Sequence, residues 1–158
     1  MSKTRKTLKD EIQQTKAFDS LEAEVFLNLL RTTEALATES GTLLRRFGLS
    51  RSQYNVLRIL RGAGSPGLSG RDIVERMVTR DSDMTRLLDG LERKELVARD
   101  RSETDRRVVV ATITPGGLDL LDEMDEPLDV LHRAQLEHLS KAKLRQLNTL
   151  LEEARHRD

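Results

Sequence analysis

The sequence contains no cysteine. Disulfides, thiolate zinc sites, a cysteine nucleophile and a thiol-based redox switch are therefore excluded together. Aromatic residues are scarce, at 3%: Phe18, Phe26, Phe47 and Tyr54. So few rings argue against modules that read single strands by stacking bases on exposed aromatics. Apolar runs such as Val25-Phe26-Leu27 fall far short of a bilayer span, and no apolar stretch follows the basic N-terminus. A soluble cytoplasmic protein with no membrane partner is the expectation. Net charge is absent too, with 27 basic against 27 acidic side chains. A strongly basic total would announce a nucleic-acid partner, but a zero total excludes none. A DNA-binding face needs only locally placed cations.

What the chain does have is 158 residues, 37% hydrophobic and 34% charged. That suits one domain with a core of aliphatic helices. Residues 1–18 carry five Lys or Arg against two acids and read as a basic arm or a short extra helix. From residue 19 to about 154 the pattern is that of a folded domain. Asp19 with Glu22 reads as a helix start. Phe26, Leu29, Thr33, Leu36, Ser40, Leu43 and Phe47 then recur at three- and four-residue steps, giving one long amphipathic helix over about 19–47. Ser50 with Gln53 opens a second helix, and Gly62 to Gly67 reads as a loop. Ser69 with Asp72 opens a third, and a fourth begins around Asp81 with Met84, Leu87, Leu88 and Leu91 inward.

Two short helices across a tight turn, over about 69–93, have the spacing of a helix-turn-helix. After Glu92 the period changes. Leu96 to Arg99 and Val108 to Ile113 are strand-like and flank the polar segment Asp100 to Arg107, so a two-stranded wing is expected over about 97–113. Thr114 caps a further helix with Pro115 at its first position. Pro127 is expected to kink or break that helix, and Ser140 starts the last one. The end helices, about 19–47 and 115–154, carry more apolar surface than a small core can cover. A second copy of the chain is the simplest partner.

LSGRDIVERM, then MTRLLDGLERKELVARDR, then DRRVVVATITPGGLDLL follow in the order helix, recognition helix and wing. Together with GLSRSQYNVLRIL upstream, they resemble the MarR family of bacterial transcription regulators. The most specific piece is Asp105-x-Arg107, an aliphatic strand, then Thr114-x-x-Gly117. The resemblance implies a mainly α winged helix-turn-helix fold with long N- and C-terminal dimerisation helices. It also implies a homodimer on a pseudo-palindromic double-stranded operator, acting as a repressor released by a small, often aromatic or phenolic, effector. No cofactor is implied.

On the fourth helix, the inward stripe leaves Ser82, Thr85, Arg86, Asp89 and Arg93 outward. Arg86 lies in the half that meets base edges and can fork onto a guanine, while Ser82 and Thr85 can bond bases or phosphates. The plainer reading is a solvated face with Asp89 pairing Arg93 at i, i+4. Arg107 matches the family's wing arginine, which enters the minor groove. Asp105, two positions earlier on an extended chain, would hold its guanidinium; the plainer reading is a surface ion pair. Arg101 and Arg106 are candidates for phosphate contacts. The family usually ends its recognition helix with Gly where this chain has Glu95, and has a basic residue where it has Gly90. Residues 68–107 hold ten basic and ten acidic side chains.

Enzyme readings find little support. His132, His138 and His156 lack i, i+4 metal spacing, and no Ser-His-acid set or phosphate loop stands out. The acidic stretch Asp119, Asp122, Glu123, Asp125, Glu126 and Asp129 reads as negative charge near a helix start. The reading from a different class is a winged-helix module that binds protein. Arg86, Asp105 and Arg107 favour DNA.

Overall fold

The computed structural model describes residues 6–79 and 83–156. The chain divides into two compact units, one running to Glu39 and the other from Ser40. In the first, Thr7 and Asp10 form a reciprocal cap on α1 (Leu8–Glu11), whose Leu8 is buried. Glu11 meets Arg31 of α2 (Leu21–Arg46) at 3.4 Å. The start of α2 corrects the sequence reading by one position. Ser20, not Asp19, accepts the Ala23 N–H at 3.1 Å, because a cap must sit three residues before the orphan donor it satisfies. Leu21, Val25, Phe26, Leu29 and Leu30 stay exposed along this helix.

In the second unit, α2 ends with Gly41 and Leu44 buried, and Gly48 turns the chain at a φ of 73°. The Ser50–Gln53 capping box opens α3 (Arg51–Ala63), which buries Val56, Leu57 and Leu60. Gly62 and Ala63 belong to this helix rather than to the loop. The Gly64 N–H still reaches the Leu60 carbonyl at 3.1 Å, so the loop is only Gly64 to Gly67. Gly67, at a φ of 93°, lies so near β3 (Val109–Ile113) that a Cβ would stand 2.4 Å from the Ala111 carbonyl oxygen. That approach lets β1 (Leu68–Ser69) pair with β3.

The Ser69–Asp72 box then opens α4 (Gly70–Arg76), and α5 runs from Met84 to Arg93. The start expected around Asp81 lies outside the described residues. Strands β2 (Val97–Arg101) and β3 (Val109–Ile113) pair antiparallel, with Val97 opposite Ile113 and Arg101 opposite Val109. Strand order is β1-β3-β2, so the wing carries a third, short strand. Thr114 caps α6 (Pro115–Leu136), and Ser140 caps α7 (Lys141–Arg155). The described chain is thus mainly helical, with a small antiparallel sheet.

Pro127 does not break α6. The ring forfeits a single N–H donor, and buried Met124 and Leu128 on either side keep the helix packed. The acidic stretch lies along the middle of α6, not at a helix start. Asp125 and Asp122 receive Arg61 of α3 at 2.8 and 3.3 Å, and Asp129 pairs with Arg133. Leu57, Leu60, Ile73, Leu88, Leu91, Val97, Leu121 and Met124 belong to one core cluster uniting α3, α4, α5, the sheet and α6. No helix of the described residues is long and apolar enough to cross a membrane.

The join between α5 and β2 is tight. Glu95 sits at a φ of 58°, in left-handed space. Its N–H donates to the Glu92 carbonyl at 2.8 Å, and the Leu96 N–H donates to that of Leu91 at 3.0 Å. This is the doubly bonded helix ending that usually takes glycine. A Cβ on Gly117 would stand 2.4 Å from the Leu96 carbonyl oxygen and 2.7 Å from the Ile113 side chain.

Glu95→Gly should therefore stabilise the protein by about 1 kcal/mol, since the backbone strain of a left-handed L-residue is removed. Gly117→Ala should destabilise it by about 1–3 kcal/mol through overpacking against backbone. Urea midpoints of both variants check the opposite signs.

Arg61 supplies a pH dependence of known sign. Its hydrogen bonds hold the Asp125 carboxyl below its ordinary pKa. A carboxyl depressed in the folded state stabilises fully above its unfolded pKa, about 3.9, and loses that contribution as pH falls below it. The stability gap between the natural protein and Arg61→Ala should be constant from pH 5 to 8, the range over which the Asp125 carboxylate stays ionised. It should close in acid, as urea titrations at each pH would record.

Candidate nucleic-acid interface

The outer face of α5 follows from its inner one. Leu88 and Leu91 are buried in the core, with Met84 and Leu87 packed against it. The 3.6-residue period then leaves Thr85, Arg86 and Arg93 exposed. Asp83 opens the helix by accepting the Arg86 N–H at 2.9 Å. Arg86, Asp89, Glu92, Arg93 and Arg99 line one polar groove along this face. Ser82 falls outside the described residues.

The i, i+4 pairing of Asp89 with Arg93 gives way to a longer-range one. Asp89 meets Arg99 of β2 at 2.6 Å, and the same guanidinium binds Glu92. Glu92 first, then Asp89, raise the Arg99 pKa. One strand residue thereby neutralises both acids of the α5 groove and leaves Arg93 facing outward. Sequence reading missed Arg99. The available signal was two acids at i, i+3 on one helix face, followed by an arginine at an inward register of the next strand.

Three more ties set the attitude of α5. Asn55 of α3 accepts the Val78 N–H at 2.9 Å and so anchors the chain leaving α4. Lys94 donates to the Gly48 carbonyl and to Gln53. Gly90 now has a reason beyond propensity, because a Cβ there would stand 3.0 Å from the Gln53 amide nitrogen. The missing side chain leaves room for the end of the Gln53 side chain.

At the wing tip the chain turns rather than running extended through 105–107. Asp105 accordingly holds backbone first: its Oδ1 accepts the Arg107 N–H at 3.0 Å and lies 4.0 Å from the Arg107 Nε. The Arg107 side chain is 95% exposed. Arg106 is exposed as well, while Arg101 donates to the Arg106 carbonyl at 2.7 Å. Thr85, Arg86 and Arg93 thus share the outer face of α5, and Arg106 and Arg107 share the tip of the wing. Arg101, exposed like them, sits at the tip's base with one N–H on the Arg106 carbonyl. His132, His138 and His156 are exposed and lie apart on α6, beyond it, and after α7.

Comparisons with known proteins agree with this fold. The model for the MarR family matches residues 49–109, which span α3 to the first residue of β3. The chain is 30% identical over 122 residues to the HTH-type transcriptional regulator MhqR of Bacillus subtilis (strain 168), covering 72% of this chain and 83% of that protein. It is 28% identical over 125 residues to the homoprotocatechuate degradative operon repressor of Escherichia coli, covering 79% and 83%. Among solved structures, it is similar to the MarR transcription factor from Planctomyces limnophilus, with 38% identity and a TM-score of 0.67, over 86% of this chain and 98% of that one.

Arg99→Leu should strand Asp89 and Glu92 beside each other without a counterion. Both carboxylates are partly exposed, so the expected loss of stability is only about 1 kcal/mol. Urea denaturation should show it shrinking in the double variant Arg99→Leu with Asp89→Asn, which removes the repulsion.

Proposed function

The chain belongs to the MarR family of DNA-binding transcription regulators, and from that premise we propose that it acts as a homodimeric repressor. Its target is a pseudo-palindromic operator, and a small aromatic or phenolic compound releases it. The carrying observation is an exposed cationic row on α5 beside a wing whose Arg107 guanidinium is almost wholly in solvent. A module built to bind protein has no use for that pairing.

Arg86 reads a base edge in the major groove, with Thr85 and Ser82 bonding bases or phosphates beside it. Arg93 and Arg106 meet phosphates, which position without specifying. Arg107 enters the minor groove, where narrow A·T tracts concentrate negative potential. Asp105 keeps the turn that carries it. Self-association is supported by the exposed apolar residues of α2 and by α7, which buries no residue and leaves Leu147 and Leu150 exposed. Apolar faces of this kind mark interaction surfaces. The repressor role is supported by the Escherichia coli relative, named as the homoprotocatechuate degradative operon repressor.

Titration of the DNA flanking the protein's own gene tests this, at two salt concentrations and with a panel of aromatic acids. Two chains should bind per operator, and one class of acid should release them. Arg86→Ala should weaken binding by about 1–3 kcal/mol and relax preference at one position of each half-site. Arg107→Ala should weaken sites with A·T-rich flanks and lower the salt slope by roughly one. Unchanged affinity for Arg107→Ala would favour a protein partner instead.

A further inference from the structure

The wing tip is braced from within. Arg101 Nη1 donates to the Arg106 carbonyl at 2.7 Å, reaching across the base of the turn. The Ser102 N–H donates to the Val108 carbonyl at 2.8 Å, and the Val108 N–H to the Asp105 carbonyl at 2.9 Å. The Ser102 hydroxyl lies 2.9 Å from that of Thr104 and accepts the Thr104 and Asp105 N–H groups at 3.3 and 3.4 Å. Asp105 closes the set on the Arg107 N–H. A seven-residue turn in water would otherwise sample many conformations, each ordered residue costing backbone entropy on binding.

Strand periodicity connects this brace to the recognition helix. Arg99 and Arg101 are two apart on β2 and point to the same face. The first grips Asp89 and Glu92 of α5, and the second grips the turn. One strand face therefore ties the wing to α5 at its base and folds the wing's tip.

We propose that Arg101 is a positioning residue: it spends its guanidinium on the Arg106 carbonyl to pre-organise the turn that presents Arg106 and Arg107, and does not neutralise a DNA phosphate. This rests on the DNA-binding reading above, and it removes Arg101 from the phosphate contacts that its charge and place in the sequence suggest.

The test compares Arg101→Met, Arg101→Lys and Arg107→Ala, singly and as the Met/Ala double variant, by operator titration over a salt series. Amide hydrogen exchange is measured on the free protein. Arg101→Met should weaken binding roughly five- to tenfold, the worth of one lost hydrogen bond, while leaving the salt slope unchanged. Its effect should largely vanish in the Arg107→Ala background, because there is then no minor-groove arginine to present. Exchange at the Ser102, Arg107 and Val108 amides should quicken without DNA, and Arg101→Lys, whose ammonium can still donate to the carbonyl, should restore part of the protection. A slope lowered by about one unit in Arg101→Met would identify a phosphate contact and overturn the proposal. So would unchanged amide exchange, or full additivity with Arg107→Ala. If Arg107→Ala itself costs nothing, the DNA reading fails, and the exchange arm still reports separately whether Arg101 braces the turn.

Discussion

Two peptide units, Glu95 and Leu96, hold the second unit's working parts together. The Leu96 N–H ends α5 by taking the Leu91 carbonyl. Its own carbonyl accepts the Thr114 N–H at 3.1 Å, and the Thr114 hydroxyl donates to the Glu95 carbonyl at 2.7 Å. The same hydroxyl oxygen accepts the Gly117 N–H and caps α6. The end of the recognition helix, both strands of the wing and the start of α6 therefore meet within a few residues. Each of these backbone groups would be costly to leave unpaired away from water. The left-handed turn at Glu95 is the strain this junction tolerates. On the proposed reading α5 and the wing reach adjacent grooves of one duplex, and a rigid junction fixes the spacing between them.

Local signals were the legible part of this fold. Ser50 with Gln53, Ser69 with Asp72, and Thr114 before Pro115 each cap a helix as their spacing implies, because a cap is decided within four residues. The inward stripe Met84, Leu87, Leu88 and Leu91 likewise settles which side of α5 faces out. Where two polar residues adjoin, as at Asp19-Ser20, spacing to the first orphan donor decides the cap, and composition alone does not distinguish them.

Long-range pairing was the illegible part. Strand β1 is only two residues, and it exists because Gly67 allows the chain against Ala111, 44 residues away in sequence. Pro127 reads as a breaker until the buried Met124 and Leu128 around it are known. Asp89 has a ready partner in Arg93 one turn on, yet binds Arg99 across the junction. A local rule ranks the near partner first. Tertiary geometry prefers the arginine already held beside both acids, since one guanidinium with five donors can serve two carboxylates. Candidate DNA contacts were thus visible as residue types, while the arginines' partners within the protein required the fold.

Those partners bear on charge. Between Leu68 and Arg107 the ten cations match ten anions, and several are occupied within the protein. Lys94 holds Gly48 and Gln53, Arg99 holds Asp89 and Glu92, and Arg101 donates to the Arg106 carbonyl in the wing turn. Nonspecific affinity scales with the number of phosphates neutralised, so on the proposed reading a lobe that engages its own cations adheres weakly to arbitrary sequence. Base-edge and groove-shape contacts do not depend on that sum. They depend on whether a few guanidinium groups are held in the correct place, the task the proposal gives to Arg101. A regulator must find one site among a large excess of random DNA, and the relevant quantity is the ratio of specific to nonspecific binding. On the proposed reading, cations engaged by the protein's own carbonyls and carboxylates lower the denominator of that ratio, and a folded wing turn stiffens the groups that set its numerator.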